Sequence, residues 1–224
     1  MKVTTDACLF GAWVASEISN EQLIINNCLD IGTGTGLLAL MLCQKINAEF
    51  DCIEIDKEAD QQAKDNADSS PWKERINVIN ADVKSFRFDQ KYDLIISNPP
   101  FYEKEIRSSK DTKNIAHHSN ELKLEELLEI IKSNLSNTGC FYLLLPYKRN
   151  EEVKKLFKDH QLYIEKILFV RQSTKHDYFR IMLKGKLHQE ENKETEFDEM
   201  SIRNESQQYT DDFATLLKDY YLNL

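Results

Sequence analysis

Residues 27–42, NCLDIGTGTGLLALML, decide the fold of this chain. The apolar run that opens the stretch is typical of a buried parallel strand, and the run that closes it is typical of a helix. Gly32, Gly34 and Gly36 lie between the two, where glycine permits a tight turn and lets a ligand approach the backbone. The following helix offers N–H groups and the positive end of its dipole, so the turn predicts a polar or anionic ligand.

The glycine spacing argues against two common phosphate-binding motifs. The position that would complete Gly-x-Gly-x-x-Gly is Leu37, and no Lys-Ser/Thr pair follows as a P-loop requires. A nicotinamide site or a nucleotide-hydrolysing site is therefore disfavoured. Asp30 directly precedes the turn and adds a carboxylate that we expect to point into the same crevice.

Acidic residues end the next two predicted strands. Glu54 closes a strand over residues 50–56 and lies 18 residues beyond Gly36, close to the ~20-residue interval at which a carboxylate binds ribose hydroxyls. Asp56 is instead placed to cap the helix that follows. Asp82 and Val83 follow a third strand over residues 76–80. A lone loop acid such as Asp82 is also a common turn former, so both interpretations stay open.

A fourth predicted strand, residues 94–97, runs into Asn98-Pro99-Pro100-Phe101. Proline fixes φ and pushes the preceding residue out of the helical region, so Asn98 is held at the carboxyl end of a strand, where open α/β sheets bind ligands. An isolated Asn-Pro-Pro is equally typical of an ordinary turn. The glycines and acids upstream favour a site here.

The remaining pattern extends an α/β arrangement to both ends of the chain. Polar, aperiodic residues 102–113 predict a loop, and residues near 200–203 fit a further short strand. Helices are predicted over 7–15 with Asp6 as cap, 57–67, 122–135 ended by Asn137-Thr138-Gly139, 150–160 with Asn150 as cap, and 209–221. Strands are predicted over 140–146, 163–170 and 179–187, the last two forming a hairpin.

Composition limits the classes of function. No apolar run approaches the ~20 residues that span a bilayer and no signal-peptide core follows Met1, so we expect a soluble cytoplasmic protein without a membrane partner. The five cysteines form no Cys-x-x-Cys pair and predict buried thiols in a reducing compartment. His117-His118 lacks further ligands at zinc spacing, so no metal site is predicted.

The charge is unevenly distributed. The net charge is −9, yet residues 141–188 hold 11 lysines and arginines against 5 acids, whereas residues 189–224 hold 3 against 10. The basic segment suits contact with a polyanion, and the acidic tail should lie away from it. Either segment is also explained as an ordinary solvated face.

Together, Asp30-x-Gly32-x-Gly34-x-Gly36, Glu54, Asp82 and the Asn98-Pro99-Pro100-Phe101 turn resemble the class I S-adenosylmethionine-dependent methyltransferases that act on amino nitrogens. The resemblance implies a Rossmann-like, seven-stranded, mostly parallel sheet with helices on both faces. It further implies one domain over 1–224, with a substrate loop near 102–118 and a C-terminal appendage near 189–224.

In this family the glycine turn packs against the amino-acid portion of S-adenosylmethionine, the acid after the second strand holds the ribose, and the acid after the third contacts adenine. The implied cofactor-binding residues are Asp30, Gly32, Gly34, Gly36, Glu54, Asp82, Val83 and Asn98.

The Asn98 turn has chemistry suited to an amino group on a purine. Such a nitrogen is a poor nucleophile because its lone pair is delocalised into the ring, so acceptors must hold its hydrogens. The Asn98 side-chain oxygen and the Pro99 carbonyl provide acceptors, and Phe101 offers a face on which an extruded base stacks. The predicted catalytic residues are Asn98, Pro99, Pro100 and Phe101.

A closer resemblance, to the bacterial tRNA1(Val) adenine-37 N6-methyltransferases, covers almost the whole chain. It implies a tRNA substrate, with no obligate protein partner evident. The residues that carry it are 2–6, 11–13, 30–41, 70–72, 94–101, 124–128, 145–146 with Arg149, and 209–210. The predicted RNA contacts are Lys104, Arg107, Lys110, Lys113, His118, Lys148, Arg149, Arg171 and Lys175.

Three alternative functions stay open at this point. The Asn-Pro-Pro-aromatic turn also occurs in enzymes that methylate a glutamine amide of release factors, although those carry a helical domain ahead of the core and only 26 residues precede the first strand here. N6-adenine methylation of another RNA or of DNA shares the core motif. A non-catalytic RNA-binding subunit that keeps the cofactor fold is an alternative of a different class.

Overall fold

The computed structural model describes residues 3–100, 122–189 and 193–223. The strands are β1 Asn27–Ile31, β2 Glu49–Glu54, β3 Ile76–Asn80, β4 Tyr92–Ser97, β5 Leu135–Pro146, β6 Tyr163–Ser173, β7 Tyr178–Lys186 and β8 Glu196–Arg203. The helices are α1 Thr5–Asn20, α2 Leu37–Cys43, α3 Lys57–Asp68, α4 Leu124–Asn134, α5 Asn150–Asp159 and α6 Asp211–Leu217. Single 3₁₀ turns occupy Lys73–Arg75 and Tyr147–Arg149.

The strands form one sheet in the order β3-β2-β1-β4-β5-β7-β6-β8. Strand β7 is antiparallel to β5 and β6, whereas the other neighbouring pairs are parallel. The chain order reverses between β1 and β4, which is the switch point at which open α/β sheets bind ligands. The predicted α/β, mostly parallel sheet is therefore confirmed.

The predicted strand count of seven was wrong because β8, of which only the end near residues 200–203 was predicted, adds an eighth strand. It pairs with β6 in parallel, from Lys166 opposite Glu196 to Ser173 opposite Arg203. Most of β8 is exposed or half-buried, so it has a polar sequence without the apolar run by which the other strands are recognised.

Helices cover both faces of the sheet. On one face α1, α2 and α6 pack over a core that includes Phe10, Trp13 and Tyr142. On the other face α4 and α5 pack over Phe141 and Phe157. Almost all of these side chains are removed from water, and such burial is the main favourable contribution to folding.

Several predicted helix ends differ from the structure. Asp56 caps α3 as predicted, since its side chain accepts a hydrogen bond from the Ala59 N–H at 2.8 Å. Asp6 was predicted as a cap, but it lies inside the first turn of α1 and its side chain binds Arg180. Asn150 likewise is the first residue of α5 and not its cap.

The Asn137-Thr138-Gly139 segment does not end a helix in a turn, because the chain passes directly from α4 into β5. A Cβ on Gly139 would lie 3.0 Å from the Asp93 carbonyl oxygen, so glycine is required here by the close approach of two strands.

The five cysteines are all buried free thiols, as predicted. In the described ranges no helix combines the length and the apolar character that crossing a bilayer requires.

Candidate active site

The sheet register brings the ends of three strands to one level. Ile31 on β1 lies opposite Ile53 on β2 and opposite Ser97 on β4. Gly32, Glu54 and Asn98 are consequently each one residue beyond the same level, on adjacent parallel strands that are about 4.8 Å apart. The structure therefore brings these predicted site residues together at the β1/β4 switch point.

The glycine turn leaves open space beside its backbone. Gly32, Gly34 and Gly36 have φ values of 72°, 60° and 79°, in the left-handed region that favours glycine. A Cβ added to Gly32 would meet no atom within 4 Å, whereas one on Gly36 would lie 3.6 Å from the Ala63 Cβ. Gly36 thus serves close packing against α3, and Gly32 borders a space that a ligand can occupy.

Glu54 holds the glycine turn against β2. One carboxylate oxygen accepts the Gly34 N–H at 2.9 Å, and the other accepts the Asp56 N–H at 2.9 Å. The side chain is buried, and each oxygen retains a further lone pair that can accept a hydroxyl hydrogen. Glu54 can therefore fix the turn and bind a ribose hydroxyl at the same time.

Asp30 is a fully buried carboxyl group below the turn. Its Oδ2 accepts the Thr33 hydroxyl at 2.6 Å, whereas its buried Oδ1 accepts no hydrogen bond from the described residues. Burial raises the pKa of Asp30 to about 7, although the hydrogen bond from Thr33 lowers it in part. An unsatisfied buried acceptor of this kind fits a ligand that brings an N–H group.

The Asn98 turn is fixed to the end of β1. Ser97 is buried, and its hydroxyl donates a 2.7 Å hydrogen bond to the Ile31 carbonyl oxygen. Beyond it, Asn98 is half-buried, Pro99 is buried and Pro100 is exposed. The backbone at Asn98 is consequently held in place, while the half-buried side-chain amide remains accessible.

Ile55 is a candidate residue that the sequence interpretation missed. It directly follows Glu54, and 51% of it is exposed at the edge of the sheet where the predicted site residues lie. An apolar residue between the two acids Glu54 and Asp56 was the available signal. Its side chain offers apolar surface to a flat ring next to the ribose position.

Asp82 and Val83 follow β3 at the same edge of the sheet. The Asp82 side chain accepts the Lys84 N–H at 2.9 Å, so it forms a local turn, which was the alternative interpretation of this residue. Val83 is half-buried and packs against the core on the α4 face. Contact of either residue with adenine stays a prediction.

Comparison with known proteins identifies the family. Residues 13–160 match the family model described as methyltransferase small domain. A Flavobacterium johnsoniae protein named tRNA1(Val) (adenine(37)-N6)-methyltransferase is 36% identical, and the match covers 100% of this chain and 94% of that protein. A Yersinia enterocolitica protein of the same name is 34% identical over 100% of this chain and 87% of that protein.

The chain belongs to the tRNA1(Val) (adenine(37)-N6)-methyltransferase family. The resemblance seen in the sequence is thereby confirmed, and with it the methyltransferase class and its methyl donor, S-adenosylmethionine. A solved Agrobacterium tumefaciens structure, described as a predicted O-methyltransferase, has a TM-score of 0.69 at 15% identity and covers 97% of this chain and 99% of that chain. At that identity the likeness shows the fold alone.

The predicted RNA contacts fall into two groups, those that the structure describes and those outside the described residues. Lys148 and Arg149 are in the 3₁₀ turn after β5, Arg171 is near the end of β6, and Lys175 is exposed between β6 and β7. All four are at the same edge of the sheet as Asn98. The predicted site residues Phe101, Lys104, Arg107, Lys110, Lys113 and His118 lie outside the described residues.

The two arginines of the described group have acidic partners. Arg149 donates to both carboxylate oxygens of Glu152, at 2.8 and 2.7 Å. Arg171 pairs with Glu199 at 2.5 Å, and its guanidinium lies 4.5 Å from the centre of the Tyr178 ring. A phosphate would therefore compete with a carboxylate at either position, and these RNA contacts stay predictions.

Proposed function

We propose that the chain, as a single methyltransferase domain, transfers the methyl group of S-adenosylmethionine to N6 of an adenine in tRNA. The proposed target is adenine 37, beside the anticodon of tRNA1(Val). The observation that carries this proposal is the common level of Gly32, Glu54 and Asn98 on three adjacent strands. The names of the full-length relatives support the choice of substrate.

The residues around the glycine turn fit the methyl donor. Glu54 has lone pairs for ribose hydroxyls, Gly32 leaves room for the amino-acid portion, and the orphaned Asp30 Oδ1 suits an N–H donor. Ile55 provides apolar surface for adenine. S-adenosylmethionine supplies a methyl group made electrophilic by its sulfonium. The protein's contribution is to hold the donor and the target base in one orientation.

Asn98 orients and activates the target nitrogen. Its side-chain oxygen and the Pro99 carbonyl accept the two amino hydrogens, which turns the nitrogen lone pair out of conjugation and toward the methyl donor. The two prolines and the Ser97 hydrogen bond keep these acceptors in place before the base arrives. As the new N–C bond would form and the bond between the methyl carbon and sulfur would break, the acceptors would stabilise the positive charge on the nitrogen. S-adenosylhomocysteine would leave, and one amino proton would be released to solvent.

The test of this function is to map the methylated nucleoside. The protein is incubated with labelled S-adenosylmethionine and a tRNA1(Val) transcript, and the RNA is digested and its nucleosides are separated. We expect label in N6-methyladenosine with the unmodified transcript and none when adenine 37 is replaced by guanine. Label in another adenine or in no RNA would contradict the proposal, and so would label in a release factor when one is supplied in a parallel reaction in place of the tRNA.

Replacing Glu54 by glutamine should weaken the binding of S-adenosylmethionine. The variant keeps the shape of the side chain but loses charge-assisted hydrogen bonds, which are each worth about 1.5–3 kcal/mol, so the Kd should rise roughly 10- to 100-fold. Isothermal titration calorimetry checks the value. Glu58→Gln, an exposed change in the first turn of α3, is the control and should leave the Kd unaltered. Equal affinities for the two variants would remove Glu54 from the cofactor site.

A further inference from the structure

A second cavity opens at the same edge of the sheet as Asn98, on the α1 and α6 face. Its volume is about 480 Å³, within the range of small-ligand sites. The start of α1, the end of β6, the start of β7 and the end of β8 contribute to its wall. Arg180 on β7 lies opposite Pro146 on β5, and β5 is also the neighbour of β4, so two strand spacings, about 10 Å, separate β7 from the Asn98 strand. Arg203 is on β8, two spacings further, so about 19 Å separates its strand from the Asn98 strand.

The charged side chains of this cavity are mainly cationic. Two arginines, Arg180 and Arg203, line it, against the single carboxylate of Asp6. Arg180 Nε is 2.8 Å from Asp6, so this arginine has a fixed carboxylate partner. Arg203 has no carboxylate within 4 Å among the residues that the structure describes. A cationic cavity of this kind is notable in a protein with a net charge of −9.

Both guanidinium groups are held in place by neighbours. Arg203 lies 4.3 Å from the centre of the Tyr209 ring and donates to the Gln207 carbonyl oxygen. Arg180 lies 5.1 Å from the centre of the Phe179 ring. A guanidinium that is already oriented loses little side-chain entropy on binding, and its planar fork of donors matches two oxygens of a phosphate. The cavity is therefore prepared for an anion with paired oxygens.

We propose that this cavity binds a backbone phosphate of the RNA substrate. The phosphate belongs to the part of the RNA strand that runs from the target nucleotide past β5 and β7. The inference rests on the proposed function. RNA is favoured over a free anion because the cavity opens at the edge of the sheet that carries Asn98, where an RNA strand entering the site must pass. Arg203 makes the main contact, because the charge of Arg180 is already balanced by its ion pair with Asp6.

The test compares Arg203→Gln with Lys73→Gln in the full-length chain. Lys73 is an exposed lysine just before β3, at the opposite edge of the sheet. Each variant therefore loses one positive charge, but only Arg203→Gln loses it in the cavity. Arg203→Gln should raise the Kd for a tRNA1(Val) transcript about tenfold and reduce the slope of log Kd against log salt by about 1. Lys73→Gln should change neither, and both variants should bind S-adenosylmethionine as the wild type does.

Arg203→Lys guards against a variant that merely misfolds. It keeps the charge but loses the fork, and its tRNA affinity should lie between those of the wild type and Arg203→Gln. Equal tRNA affinity and salt slope for Arg203→Gln and Lys73→Gln would overturn the inference while leaving the proposed function intact. A different result would be that inorganic phosphate stabilises the wild type against unfolding and leaves Arg203→Gln unaffected, while the two bind tRNA equally well. That result would assign the cavity to a free anion and would also overturn the inference. A wild type that methylates no tRNA would remove both proposals.

Discussion

Asn98→Ala should reduce the rate of methyl transfer by at least about 100-fold while the Kd for S-adenosylmethionine stays within about twofold. The substitution removes an acceptor that is used most strongly as charge develops on the target nitrogen, and losing one such preorganised group costs about 10²–10³ in rate. Single-turnover transfer to a tRNA1(Val) transcript gives the rate, and calorimetry gives the affinity.

Asn98→Asp is the matched variant for this experiment. It has the same shape and keeps oxygen acceptors, so it should retain more activity than Asn98→Ala. If the alanine variant turns over as fast as the wild type, Asn98 has no role in the reaction. If both variants lose binding of S-adenosylmethionine to the same extent as activity, Asn98 acts on the cofactor and not on the base.

Glu165→Gln should lower the free energy of unfolding at pH 7 by about 3 kcal/mol, because it removes the centre of a buried charge network. Glu165 is 2% exposed, and its side chain lies 3.1 Å from Lys184 and 3.2 Å from Lys186 and binds Lys193 as well. Lys184 is itself 0% exposed and retains Glu21 as a partner, at 2.5 Å. Without the Glu165 charge, the lysines repel one another, and the buried Lys184 loses one of its two carboxylate partners.

The same network predicts a pH dependence. Burial alone would raise the pKa of Glu165, but the hydrogen bond from Lys193 and the charges of Lys184 and Lys186 lower it to about 2, from an ordinary value of 4.5. The folded state therefore gains stability above pH 4.5 and loses it as the pH falls from 4.5 toward 2. Urea unfolding of the wild type and Glu165→Gln should show a difference that shrinks over this interval.

A surface pair provides the control for the stability experiment. Glu151 pairs with Lys154 on α5 at 2.9 Å, and most of the Glu151 side chain is exposed. Glu151→Gln should cost less than about 1 kcal/mol at any pH, as exposed ion pairs do. A loss for Glu165→Gln no larger than that of Glu151→Gln would show that the buried network contributes little to stability.

Local sequence patterns predicted most of the elements that build the site. The glycine turn, the Asp56 cap and the strands before Glu54 and Asn98 each depend on a few adjacent residues. Only the end of the eighth strand, near residues 200–203, was predicted, because the first half of β8 is exposed and pairs with β6 without an apolar pattern of its own. Its stability comes from a partner that lies 30 residues earlier in the chain.

Contacts between distant residues were not predictable from one sequence. The pairing of Asp6 with Arg180 and of Glu21 with Lys184 follows from where α1 crosses the sheet, and no periodicity signals it. The orphaned Oδ1 of Asp30 likewise becomes visible only when neighbouring groups are in place. The place of Arg203 in the wall of the second cavity depends on the same kind of distant contact.

The Ser97 hydrogen bond to Ile31 joins the start of the Asn98 turn to the strand that leads into the glycine turn. Under the proposed function, the methyl donor and the target base would meet at the ends of two neighbouring parallel strands, so the pairing of β1 with β4 would fix the spacing of their binding sites. Sequence changes in the outer loops and in the C-terminal strands would leave this spacing unaltered, because β1 and β4 lie in the middle of the sheet.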